Sequence, residues 1–261
     1  MIITDQIGHQ IELAATPKRI ISLVPSQTEL LYDLGLEDEV IGITKFCIHP
    51  NDWFKSKIRV GGTKTVNLEK VATLKPDLII ANKEENTESE IRELQKIYPV
   101  YTSDIANLKG SMEMILQLGE IVNKVNESTR IVKKIEHEFQ RLVPFSDEKK
   151  NVLYLIWKDP YMSINQNTFI NDMLKLAGFE NVIKDDNVYP TISENQISNL
   201  DPDYVFLSSE PYSFKDKHLI AIQKQFINTK VVLVDGEFFS WYGSRLQNAP
   251  KYFKTLINQI S

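Results

Sequence analysis

Two distant stretches of this chain read alike. Leu74-Lys75-Pro76-Asp77-Leu78-Ile79-Ile80 and Leu200-Asp201-Pro202-Asp203-Tyr204-Val205-Phe206 each run from a helix end through a proline into an apolar strand. Leu34-Gly35-Leu36 is echoed by Ala177-Gly178-Phe179, and Pro99-Val100-Tyr101 by Val231-Val232-Leu233. A two-fold echo at such spacing implies two similar lobes rather than a solenoid, whose repeats run to ~20–50 residues. The 261 residues exceed the ~100–200 typical of one domain, so each lobe can hold its own core.

The pattern within each half names the fold class. Residues 1 to 13 alternate around Gly8 as a hairpin does, and the run 20–24 reads as a buried strand ending at Pro25. Ser26 is expected to cap a helix from Gln27 to Leu34, with Glu29 completing a capping box and Gly35 closing it. Strands at 40–43 and 77–81 then alternate with helices at 68–74 and 88–96, and a short strand follows at 99–101. From Ser111 to Leu142 no proline intervenes and apolar residues recur at helical spacing. A break is expected at Asn123 and Asn126, leaving Glu127 to Leu142 as a helical strut. After the polar run Ser146 to Asn151, a strand at 152–157 and a helix at 168–176 resume the order. The reading is α/β: two similar lobes with mainly parallel sheets joined by one long interdomain helix, divided as 1–108, 109–145 and 146–261.

Composition removes several classes. Hydrophobic residues make up 42% and charged residues 25%, which is ordinary for a globular protein and excludes disorder. A net charge of -5, with no concentration of Lys and Arg, argues against nucleic acid as a partner. No run of ~18 apolar residues is present, and the first residues lack a signal peptide's pattern. Cys47 is the only cysteine, so no internal disulfide forms, and it reads as a small, partly buried hydrophobe.

The common catalytic signatures G-x-S-x-G, G-x-G-x-x-G, C-x-x-C and H-E-x-x-H are absent, and Val60 to Thr65 reads as a turn rather than a phosphate loop. His9, His49, His137 and His218 are scattered, so no local metal site and no cofactor are expected. In open parallel sheets ligands bind beyond the carboxyl ends of the strands, which selects the loops after Val24, Ile43, Ala81, Trp157, Leu207 and Val234. Phe46, Trp157, Tyr161, Phe238, Phe239, Trp241 and Tyr242 fall in or beside those loops and favour a large flat or apolar ligand held between the lobes. Glu69 opens a helix, where the dipole favours a carboxylate and where it could also meet a partner's arginine.

The order of Thr4 to Gly8, Pro17 to Leu31, Val60-Gly61-Gly62, Asn67 to Val71 and Leu74 to Ala81 resembles the substrate-binding proteins of iron-siderophore, haem and cobalamin importers. The resemblance covers nearly the whole chain. Pro25-Ser26-Gln27-Thr28-Glu29 and the loop Gly42 to Pro50 are most similar to the cobalamin-binding branch. The resemblance implies a corrinoid-sized ligand with Phe46, Trp157, Phe238 and Trp241 as contact positions, and a strut that limits hinge closure. It also implies that Glu69, with the displaced Glu237 in the second lobe, docks on arginines of a membrane permease. The chain departs from that branch where Phe238-Phe239-Ser240-Trp241 replaces an acidic residue, and in lacking a tryptophan near Thr63.

The expected function is therefore a non-catalytic receptor of an ABC importer, a monomer, with Arg245 and Lys45 as polar contacts to the ligand. A receptor for a ferric siderophore or haem is the alternative within the fold, with Arg245, Tyr161 or Tyr242 facing an anionic ligand. A cytoplasmic enzyme or metallochaperone-like protein is the alternative from another class. The expected location is the periplasm, or the outer face of the membrane, if a signal was removed.

Overall fold

The computed structural model of the protein describes residues 1–142 and 149–260, apart from the side chain of Ser198. The expected boundary at 145/146 and most of the polar run from Ser146 fall outside the described residues. Among the described residues, no helix is long and apolar enough to cross a membrane.

The chain divides into two compact units. The first comprises Met1–Ile105, Lys109–Lys134 and Tyr242–Arg245; the second comprises Ala106–Leu108, Ile135–Trp241 and Leu246–Ser261. In chain order the first half carries β1 (Ile2–Thr4), β2 (Gln10–Glu12), β3 (Ile20–Ser22), α1 (Pro25–Asp33), β4 (Val40–Ile43), α2 (Asn51–Ser56), β5 (Ile58–Arg59), β6 (Gly61–Gly62), β7 (Thr65–Val66), α3 (Leu68–Leu74), β8 (Leu78–Asn82), α4 (Glu88–Gln95) and β9 (Val100–Ser103). Two helices follow, α5 (Leu108–Ile121) and α6 (Val125–Gln140). The second half carries β10 (Lys150–Leu155), β11 (Tyr161–Met162), α7 (Phe169–Leu176), β12 (Phe179–Asn181), β13 (Thr191–Ile192), α8 (Glu194–Asn199), β14 (Tyr204–Ser208), α9 (Asp216–Gln223), β15 (Lys230–Val234), α10 (Glu237–Ser240) and α11 (Ala249–Ile260).

Each unit is built on a parallel sheet, ordered β5-β4-β3-β8-β9 in the first and β12-β10-β14-β15 in the second. The strand order reverses between β3 and β8, and between β10 and β14, so each unit has its topological switch point at an equivalent place. The sequence echo marks that equivalence. Lys75 (φ 48°) and Asp201 (φ 40°) both turn left-handed before the proline. The aspartate beyond it then captures the chain entering the neighbouring strand: Asp77 accepts the backbone N–H groups of Lys18 and Arg19 at 2.8 Å each, and Asp203 accepts that of Asn151 at 2.8 Å. Gly35 (φ 76°) and Gly178 (φ 91°) stop α1 and α7 in the left-handed conformation open to glycine.

Strand alternation sorts the cores. Ile21, Leu23, Ile79 and Val100 pack with Leu74, Ile91 and Leu94 of the helices in the first unit. In the second, Leu153, Leu155, Val205 and Leu207 meet Ile197 and Ile222 on one face. The alternate residues Tyr154 and Phe206 pack with Phe179 and Phe239 on the other face, with ring centroids 5.1–6.3 Å apart.

Two sequence expectations are corrected. Ser26 does not cap α1: Pro25 occupies the first turn, where its missing N–H costs nothing, and Val24 is the cap residue without a side-chain bond. Glu29 consequently serves no capping box. The helical stretch does break at Asn123 (φ 57°), between α5 and α6, but not at Asn126, which lies within α6; α6 begins in the first unit and ends in the second.

Candidate functional site

At the switch point of the first unit, the loop after β8 is held by asparagines. Asn82 Oδ1 accepts the N–H groups of Glu84 (2.9 Å) and Glu85 (3.0 Å), while Asn86 Oδ1 accepts that of Asn82 at 2.8 Å. Gln27 of α1 and Asn82 both donate to Ser103 Oγ, at 2.5 and 3.0 Å. These buried amides fix the backbone of Lys83–Asn86 and leave Glu85 half-buried at the sheet's carboxyl edge.

A strap from the end of the chain closes over this edge. Residues Tyr242–Arg245 belong to the first unit, although Trp241 and Leu246 belong to the second. Ser111 Oγ donates to the Tyr242 carbonyl at 2.6 Å, and Tyr242 Oη donates to Glu85 Oε1 at 3.1 Å. A Cβ on Gly243 would stand 2.4 Å from the Ser26 carbonyl oxygen, so only glycine lets the strap lie this close. Arg245 then grips Glu29 through Nε to Oε2 at 2.9 Å and Nη2 to Oε1 at 2.7 Å. Burial drives the titrations here. It lifts the Glu85 carboxyl from 4.5 to about 7, against the hydrogen bond from Tyr242 and the charge of Lys64. It also raises Glu29, against its pairing with Arg245, and pushes the Tyr242 phenol well above its usual value, helped by Glu85.

The loop after β4 presents Phe46, half exposed at 50%, with Lys45 Nζ 5.1 Å from its ring centroid. Cys47 beneath it is fully buried, 3.1 Å from the hydroxyls of Thr28 and Thr44, and burial pushes its thiol up to about 11. Glu69 is exposed in the first turn of α3, whose cap is Asn67 accepting from Lys70 N at 2.9 Å.

In the second unit, Trp157 lies just beyond β10 and is 40% exposed. It packs edge-on against Tyr212, from the loop after β14, at 5.6 Å between centroids. Behind them His218 Nδ1 accepts the Lys215 N–H at 2.9 Å, which places the ring proton on Nε2, 3.4 Å from Tyr212 Oη. Burial, then the charge of Lys217, lowers the His218 pKa and keeps that tautomer neutral. Tyr161 is buried under Lys158, 5.8 Å from its ring centroid. Phe238 stacks on Tyr252 at 4.5 Å and 12°, Trp241 is buried, and Glu237 is half-buried in the first turn of α10.

Of the residues singled out by sequence, Phe46 and Trp157 thus offer exposed rings, Tyr242 and Arg245 share one strap, and Tyr161, Phe238 and Trp241 pack into their own unit. Glu85 and Tyr212 escaped the sequence reading, Glu29 was read as part of a helix cap, and His218 only as one of four scattered histidines. Glu85 and Tyr212 do lie in two of the loops it selected, but nothing local marks their partners. Among the described residues, no three His, Cys, Asp or Glu side chains gather as a metal would require.

The family model of the periplasmic binding proteins matches residues 20–231, across both sheets and the helices between them. The chain belongs to the periplasmic binding protein family. A substrate-binding lipoprotein of an ABC transporter from Bacillus subtilis (strain 168) is 28% identical over 213 residues, covering 78% of this chain and 67% of that protein. The vitamin B12-binding protein of Vibrio cholerae serotype O1 is 29% identical over 199 residues, covering 73% and 70% of the two chains. In fold, a periplasmic haem-binding protein solved with two haems superposes with a TM-score of 0.81 at 20% identity, over 94% of this chain and 99% of that one.

Proposed function

We propose that this periplasmic binding protein is the receptor of an ABC importer and that its ligand is a corrinoid, held by aromatic rings at the carboxyl edges of its sheets. The observation that carries the choice of ligand is the Arg245–Glu29 pair: the guanidinium sequence reasoning offered to an anionic ligand is already neutralised by a carboxylate at 2.7 and 2.9 Å. Glu85 adds a second carboxyl to the same edge. An anionic iron chelate gains little there, whereas a large neutral ligand bearing amides finds rings for its faces and polar side chains for its rim. The relatives named for vitamin B12 support the same reading.

A haem or ferric siderophore is the second reading, favoured by the exposed Lys45 beside Phe46 and by the haem-binding protein of the same fold. We further propose Glu69, with Glu237, as the carboxylates that meet permease arginines, and a monomer working on the outer face of the membrane. Tryptophan fluorescence titrated with cyanocobalamin, haem and a ferric siderophore, after inner-filter correction, tests the ligand. Saturable quenching by the corrinoid at micromolar concentration or below is expected; saturation by the iron ligands alone would transfer the function to iron uptake.

A further inference from the structure

The strap carries Tyr242 and Arg245, yet both of its flanks belong to the other unit. Among its contacts with the first unit are Ser111 to the Tyr242 carbonyl, Arg245 to Glu29, Gly243 against Ser26, and the Tyr242 hydroxyl on Glu85. We propose that Glu85 is the positioning residue of this strap: by accepting the Tyr242 hydroxyl it fastens Tyr242 and Arg245 to the sheet edge, and that fastening weakens as pH rises. The consequence for ligand affinity rests on the proposal that the corrinoid sits at this sheet edge; the fastening itself does not.

The direction follows from what surrounds Glu85. Lys64, on the turn between β6 and β7, is the cation that faces it, and Glu84 of its own loop opposes its ionisation. The buried Cys47 thiol, from the loop after β4, feels the Glu85 charge. An ionised Glu85 accepts a stronger bond from Tyr242, but loss of water outweighs that gain and holds the carboxyl at about 7. Freed into solvent, the carboxyl returns toward 4.5. The fastened state therefore binds the proton more tightly than the released one. Fastening is strongest below pH ~4.5, declines as pH rises to ~7 and is level above that.

Hydrogen exchange on the full chain tests this, following the backbone amides of residues 241–246 from pH 4.5 to 8 after correction for the intrinsic exchange rate, with β14 as the internal reference. Wild-type strap protection is expected to fall ten-fold or more relative to β14, within a ceiling of roughly 300-fold set by the linkage. Glu85→Gln keeps an acceptor without a titration and is expected to stay within about three-fold across the range, while Tyr242→Phe is expected to show the lowered protection at every pH. A wild-type profile that is flat, or that Glu85→Gln reproduces, overturns the proposal. Cyanocobalamin titrations at pH 5 and 8 separate the two readings: strap protection that shifts with pH while the corrinoid fails to bind sustains the fastening and removes the corrinoid.

Discussion

Removing the Arg245 guanidinium separates a structural role from a ligand-binding one. Its side chain is 13% exposed and that of Glu29 is 20% exposed, so Arg245→Ala strands a carboxylate that burial already penalises. Breaking a fully buried pair from one side costs ~3–5 kcal/mol, and the residual exposure here places the loss at ~2–3 kcal/mol. Removing both partners leaves no stranded charge, so Glu29→Ala/Arg245→Ala should lose less than the two single losses combined, with a coupling of ~1.5–2.5 kcal/mol. Urea unfolding of the four proteins at pH 7 measures it. The sign with pH is also fixed. The Glu29 pKa is raised by burial and rises further without Arg245, so the Arg245→Ala deficit should shrink as acid protonates Glu29. Additive single losses, or a deficit that grows in acid, would refute the view of Arg245 as a neutralised structural cation.

Three further outcomes can be checked directly. Trp157→Ala should weaken cyanocobalamin binding at least ten-fold by fluorescence titration while changing urea stability by less than ~1 kcal/mol, because the ring is 40% exposed. Cys47, fully buried with its thiol pushed up to about 11, should resist a thiol reagent at pH 8 in the native protein and react once urea unfolds it; labelling within minutes without urea would contradict its burial. Asp77→Ala should cost ~1–2 kcal/mol and more than Asp203→Ala, since it removes two solvent-accessible bonds, from Lys18 and Arg19, against the one from Asn151, and equal or negligible losses would show that the repeated aspartates do not anchor the strands.

The repeated architecture was legible because it is written locally. A proline, an aspartate and an apolar run recur where β8 and β14 enter their sheets, and Gly35, Gly178 and Asn123 sit at breaks that backbone conformation demands. The start of α1 misled, because Ser26 with Glu29 imitates a capping box while Pro25 already satisfies that turn and Glu29 serves a partner 216 residues away. The same limit governed the site. Aromatic loop residues look alike in sequence, yet Trp241 and Tyr161 are buried while Phe46 and Trp157 present half their surface or nearly so. Only tertiary packing decides which ring seals a core and which one stays exposed.

The strap also orders events during biosynthesis. Glu29 and Glu85 leave the ribosome early, but their partners Arg245 and Tyr242 come 216 and 157 residues later. Until then the amino-terminal unit carries two carboxylates at its edge without the groups that complete it, and closing so long a loop is slow compared with local βα pairing. Nascent chains stalled before Tyr242 should therefore hold a folded but loosened first unit, completed only once the strap itself has been translated.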